Sequence, residues 1–163
     1  MKACLSAVIA CMAALAVMVT VQSAPAQGNK LEGVWKVVEV TITGPNASTN
    51  SNPQPGFFMF TKKHYSMTYI TGDTAPHDLP RNATDAQKTA AWKPFEAYAG
   101  EYEIKGATVM FRAKVCKNQA ALKPDSGSVQ DLRIEDNTMW LTIKIYNDRP
   151  VTNPTTTKLV RVE

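Results

Sequence analysis

The chain has 163 residues, 44% of them hydrophobic and 20% charged, and 18 basic against 14 acidic side chains leave a formal net charge of +4. That length suits one domain with a core large enough to stand without metal or disulfide staples. Lys and Arg are scattered among Asp and Glu rather than gathered in blocks, so the positive balance is a solubility feature and implies no nucleic-acid partner.

Residues 1–26 hold one early cation, an apolar run and the ending Ala24-Pro25-Ala26, the pattern of a secretory signal peptide cut after Ala26. The expected domain is then 27–163, exported to the periplasm or secreted, with no stable membrane insertion once the signal is removed. The apolar run approaches spanning length, so an uncleaved anchor is the alternative. The tetrapeptide VIAC before Met12 resembles a lipoprotein box but falls too early, with apolar sequence still to follow. Cys4 and Cys11 leave with this segment, and Cys116 remains as a lone thiol, read as a small buried hydrophobe rather than a nucleophile.

The rest of the chain alternates apolar and polar residues in short runs punctuated by Gly, Pro, Asn and Asp, which marks antiparallel β-structure. Eight strands are expected, over 33–43, 56–61, 64–71, 98–105, 107–116, 128–135, 138–147 and 155–162. The junctions TKKHY, IKGAT and IEDNT are short enough to make hairpin neighbours of their flanking strands. In GEYEIKG, Tyr102 and Ile104 share a face against Glu101, Glu103 and Lys105. Val109, Phe111, Ala113 and Val115 oppose Arg112 and Lys114, and Met139, Leu141, Ile143 and Ile145 oppose Thr142 and Lys144. One apolar and one wet side on each strand fits the wall of an eight-stranded up-and-down barrel, although a sandwich would show the same alternation.

One stretch departs from this period. NATDAQKTAAWKPFEAY is Ala-rich, and Thr84 with Gln87 forms a capping box for a helix over 85–93, which Pro94 ends. The polar loop TGDTAPHDLPRNA precedes it. A helix inserted between strands three and four is expected to lie across a barrel end or side as a plug or a lid, with the rings of Trp92 and Phe95 buried.

The triplet GVW on the first strand, FFMFTKKHYSMTYI on the next hairpin, FEAYAGEYEI after the helix and the terminal KLVRVE together resemble the bacterial and fungal lipocalin-like domain family. The resemblance covers essentially all of 27–163. It implies that Gly33 turns the chain tightly into strand one and that Trp35 seals the closed barrel end. A basic residue of the last strand would cover the Trp35 ring, Arg161 first and Lys158 second. Some relatives carry His residues where this chain has VMFRAKV, so any chemistry resting on them is not carried over.

The chain has no nucleophile elbow, phosphate loop or metal-ligand spacing, and neither catalytic residues nor a metal nor a cofactor are expected. His64 beside Lys62 and Lys63 reads as a turn-proximal surface residue. His77 with Asp73 and Asp78 reads as a solvated loop, Glu101 and Glu103 as an outward solubilising pair, and the sequons at Asn46 and Asn82 as unused. Phe58, Phe60, Tyr65, Met67, Tyr69, Tyr102, Val109 and Phe111 are the residues expected to line the barrel interior, or to fill it. The leading expectation is a protein that binds one small hydrophobic molecule there. A barrel enzyme of the cyclase, isomerase or dehydratase type, and a filled barrel acting through its surface, are the alternatives.

Overall fold

The computed structural model describes residues 30–73, 78–123 and 126–163; the expected signal segment and His77 lie outside the described residues. Ten strands run in chain order: β1 (Gly33–Ile42), β2 (Ser48–Asn50), β3 (Gly56–Phe60), β4 (His64–Ile70), β5 (Phe95–Lys105), β6 (Thr108–Cys116), β7 (Ser128–Glu135), β8 (Thr138–Tyr146), β9 (Arg149–Pro150) and β10 (Thr155–Arg161). The helix α1 (Asp85–Trp92) lies between β4 and β5. Eight of the strands close a ring in the order β1, β3, β4, β5, β6, β7, β8, β10, and every pairing is antiparallel. The short β2 and β9 extend the ladders of β1 and β8. The architecture is therefore a closed eight-stranded up-and-down barrel with one helix inserted before β5. No helix among the described residues is long and apolar enough to cross a membrane.

The turns follow from residues that tolerate left-handed backbone. Asn147 and Asp148 both have positive φ, 49° and 61°, and connect Tyr146 to its ladder partner Arg149 in a two-residue hairpin. Asp136 at φ 51° and Gly106 at φ 60° serve the β7–β8 and β5–β6 hairpins in the same way.

The core fills one end of the barrel. Trp35, Leu31, Val109, Met139, Leu141 and Leu159 are essentially solvent-free and belong to one cluster with Phe58, Phe60 and Phe111. Trp35 donates its indole N–H to the Leu31 carbonyl at 2.8 Å, so the one polar atom of this buried ring is satisfied. Arg161, its ladder partner on β10, lies over the ring at 4.1 Å. The Arg161 guanidinium also donates to the carbonyls of Glu32 and Lys30. Gly33 sits at φ +126°, where a Cβ would come within 2.3 Å of the Glu163 carbonyl oxygen. The strand opens on glycine because the chain's last residues pass directly over it. Lys158 covers Trp140 instead, on the outer face, at 5.9 Å.

Two alternations expected from the sequence fail at bulges. On β6, Ala99 pairs with Val115 and Gly100 with Ala113, so Lys114 is an extra residue. Beyond it the faces exchange: Val115 is 69% exposed, and Cys116 turns inward as the partner of Tyr98. On β8, Lys144 is skipped between the pairs Val129–Ile145 and Gln130–Ile143, so Ile145 leaves the face of Met139 and Leu141. Tyr146 takes its place inside. A third bulge, at Val38, lies on β1.

The helix also differs from its expected packing. Its capping box forms, with the Thr84 N–H donating to Gln87 Oε1 at 2.9 Å and the Gln87 N–H to Thr84 Oγ1 at 3.3 Å. No residue of α1 is buried, and Trp92 is 58% exposed. DAQKTAAW offers no continuous apolar stripe to lay on a barrel end, so α1 stands at the rim, outside the barrel. Trp92 stacks on Phe95 with centroids 5.4 Å apart, and Phe95 pairs with Ile70 on the outer wall.

Candidate functional site

The inner face changes character from one end of the barrel to the other. At the closed end the side chains meet each other. Phe60 lies 5.7 Å from Tyr102 and 6.1 Å from Phe111, and Tyr65 lies 4.8 Å from Phe111. The Tyr102 hydroxyl donates to the Thr61 carbonyl at 2.6 Å, closing the β3–β4 turn. At the open end the inner face becomes polar. Tyr69 pairs with Glu96, Met67 with Tyr98, Tyr98 with Cys116, and Ser128 with Tyr146. Directly opposed residues share a face, so three tyrosines, a carboxylate and a thiol stand together inside the mouth.

The hydrogen bonds there form a chain. The Tyr98 hydroxyl donates to Glu96 Oε2 at 3.0 Å and lies against the Tyr146 hydroxyl. Asn118 Nδ2 reaches the Tyr146 oxygen at 3.4 Å, and the Cys116 thiol donates to the Asn118 carbonyl at 2.8 Å. Glu96 faces Lys117 Nζ at 3.7 Å, and that ammonium also donates to the carbonyls of Trp92, Lys93 and Phe95 at 2.9, 2.7 and 2.6 Å. Lys117 thus ties the carbonyl end of α1 to the barrel rim at Glu96.

Burial holds the protons on several of the inner tyrosines and on the thiol. Desolvation raises the Tyr69 pKa to about 12, helped by the Glu96 carboxylate. Tyr65 and Tyr98 are raised further, by desolvation first and then by neighbouring Cys116 and Tyr146 for the former and Tyr146 for the latter. Burial pushes the Cys116 thiol up as well. At neutral pH these are phenols and a thiol, hydrogen-bond donors rather than bases or nucleophiles.

All eight residues expected at the interior lie in the core or against it. Phe58, Phe60, Tyr65, Met67, Val109 and Phe111 are buried, and Tyr69 and Tyr102 pack on them. Tyr102, Phe60 and Phe111 pack together at the closed end, while Tyr65 and Tyr69 reach toward the mouth. Tyr98, Tyr146, Glu96 and Lys117 are added by the fold. Tyr98 was legible as the next inward position back from Gly100 and Tyr102, whereas Tyr146 was hidden by the Lys144 bulge.

His64 is exposed on the outer face opposite Glu101. Glu101 and Glu103 pair outside with Lys114, Lys105 and Arg112 at 3.2 to 3.7 Å. Asp73 accepts from Asn50 Nδ2 at 2.7 Å. Among the described residues no group of three or more His, Cys, Asp or Glu is placed to hold a metal ion.

A cavity of about 660 Å³ lies outside the barrel between α1 and the wall, lined by Ile70, Leu79, Ala91, Trp92 and Phe95 with Lys88 at its edge. It offers apolar surface and no set of converging donors, so the mouth is the better candidate site.

The lipocalin-like domain family matches residues 32–143 of this chain. A lipocalin-like protein from Bacteroides uniformis is similar in structure at 12% identity and a TM-score of 0.45, with 80% of this chain and 97% of that one covered. An uncharacterized protein from Bacteroides eggerthii aligns at 11% identity and a TM-score of 0.44, over 80% and 98% of the two chains. No curated protein matches the chain.

Proposed function

The chain belongs to the lipocalin-like domain family, and from that premise we propose that it is an exported carrier holding one small, largely apolar molecule non-covalently at the open end of its barrel. Export rests on the signal-like composition of residues 1–26. The carrier reading rests on one observation above others: all 5 tyrosines of the chain stand on the inner face, and Tyr69, Tyr98 and Tyr146 ring one end of it above an apolar floor. An apolar body would rest on Phe58, Met67 and Val40 while the phenols orient its polar end. An eight-stranded barrel is just wide enough either to be filled by its own side chains or to hold one small ligand.

An enzymatic role has less support, since Tyr65, Tyr69, Tyr98 and the Cys116 thiol have raised pKa values. The ring-to-ring packing of Phe60, Tyr102 and Phe111 favours a second reading for the closed half, a solid barrel acting through its surface.

Titration with a fatty-acid methyl ester and with an uncharged hydrophobic dye tests the proposal. Saturable binding with a dissociation constant in the micromolar range, about 8 kcal/mol, is expected. Tyr69→Ala should weaken it at least tenfold, and Trp92→Ala should leave it unchanged. The opposite pattern would move the site to the outer groove, and absence of saturable binding would favour the solid barrel.

A further inference from the structure

Resting on the carrier reading, we infer that the bound molecule carries a neutral hydrogen-bond acceptor of the carbonyl class, received by the hydroxyl of Tyr65. Tyr65 differs from the other tyrosines. It is only 5% exposed, and among the described residues its hydroxyl meets no hydrogen-bond partner. The Tyr98 hydroxyl is spent on Glu96, that of Tyr102 on Thr61, and the Tyr146 oxygen accepts from Asn118. Tyr69 is partly open to solvent at the mouth.

The Tyr65 ring is held against Phe111 at 4.8 Å on the inner face of β4, which keeps its hydroxyl within the barrel. A buried donor without a partner is costly to the protein alone, and a ligand oxygen would supply what the fold does not. Two acceptors of the mouth are engaged within the protein: the Asn118 carbonyl takes the Cys116 thiol, and Glu96 takes Tyr98.

The electrostatics select the acceptor's charge. A ligand carboxylate would enter beside the Glu96 carboxylate, whose cation, Lys117, is already shared with the carbonyls of Trp92, Lys93 and Phe95. A ketone, aldehyde, ester or amide oxygen accepts from a phenol without bringing charge into a largely apolar space. The apolar remainder of the molecule would lie on Met67 and Phe58, which flank Tyr65 on β4 and β3.

Three molecules of nearly equal shape separate these contributions: acetophenone, ethylbenzene and benzoate. Wild-type protein should bind acetophenone about fivefold to tenfold more tightly than ethylbenzene, the factor one uncharged hydrogen bond supplies, and benzoate least of all. Tyr65→Phe should erase the acetophenone advantage and leave ethylbenzene affinity unchanged. Its melting temperature without ligand should equal or exceed the wild type's, because an unmet hydroxyl has been removed. The carbonyl stretch of bound acetophenone should shift to lower wavenumber in wild type and not in the variant. An advantage that survives Tyr65→Phe, or a melting temperature several degrees lower in that variant, overturns the inference while leaving the carrier reading intact. Failure of all three to bind wild type saturably overturns the carrier reading and this inference together.

Discussion

At the scale of single residues, the closed end shows how much one ring and one missing side chain decide. Trp35 is fully buried, hydrogen-bonded and covered by Arg161. Trp35→Ala should cost about 3 to 5 kcal/mol, the range for deleting a large buried aromatic, seen as a large fall in melting temperature. Arg161→Ala removes a cation–π contact and donors to two carbonyls, one of them partly buried, and should cost about 1 to 2 kcal/mol. Gly100 is a sharper case. A Cβ there would sit 2.0 Å from the Arg112 carbonyl oxygen, where the β6 bulge brings the two backbones together. Gly100→Ala should therefore cost about 2 to 3 kcal/mol although it adds one methyl group, and a variant as stable as wild type in chemical denaturation would show that the bulge relaxes freely.

At the scale of elements, period-two patterning located all eight barrel strands, because a strand with one dry side must alternate whatever its neighbours do. The sequence could not show the bulges. Lys114 and Lys144 look like ordinary solvent-facing members of the alternation, and only pairing with β5 and β7 makes them extra residues that send Cys116 and Tyr146 inward. Half of the mouth was concealed for that reason. The helix was legible from Thr84 and Gln87, whereas its position was not, since the side chain that fixes it, Lys117, comes from a strand end far along the chain. Lys117→Met should release the α1 terminus from two carbonyl contacts, at Trp92 and Lys93, and the start of β5 from a third at Phe95. Hydrogen exchange of the amides from Lys88 to Trp92 should quicken by roughly tenfold or more, in line with about 2 kcal/mol for a partly buried charged donor. Trp92 emission should move only slightly, because that ring is already mostly exposed.

At the scale of the whole molecule, the inward placement of all 5 tyrosines makes the barrel's integrity readable by alkali. Tyr69 is pushed up to about 12, and Tyr65, Tyr98 and Tyr102 are also raised, with desolvation the leading cause for each. The native state holds these phenolic protons above pH 10 while the unfolded chain, at the ordinary value of 10.0, gives them up. The unfolded state then binds fewer protons, so stability is whole below pH 10 and falls as pH rises toward the folded values. Absorbance at the phenolate band from Tyr65, Tyr69, Tyr98 and Tyr102 should therefore develop late and steeply, together with loss of the β-sheet circular dichroism signal. Tyr69→Phe should blunt the loss of stability between about pH 10 and 12, because it removes one proton that only the unfolded chain releases in that window. A wild-type titration centred at the ordinary tyrosine value, with the barrel still folded, would mean that water reaches these hydroxyls freely, and the mouth would then be too wet to hold an apolar guest.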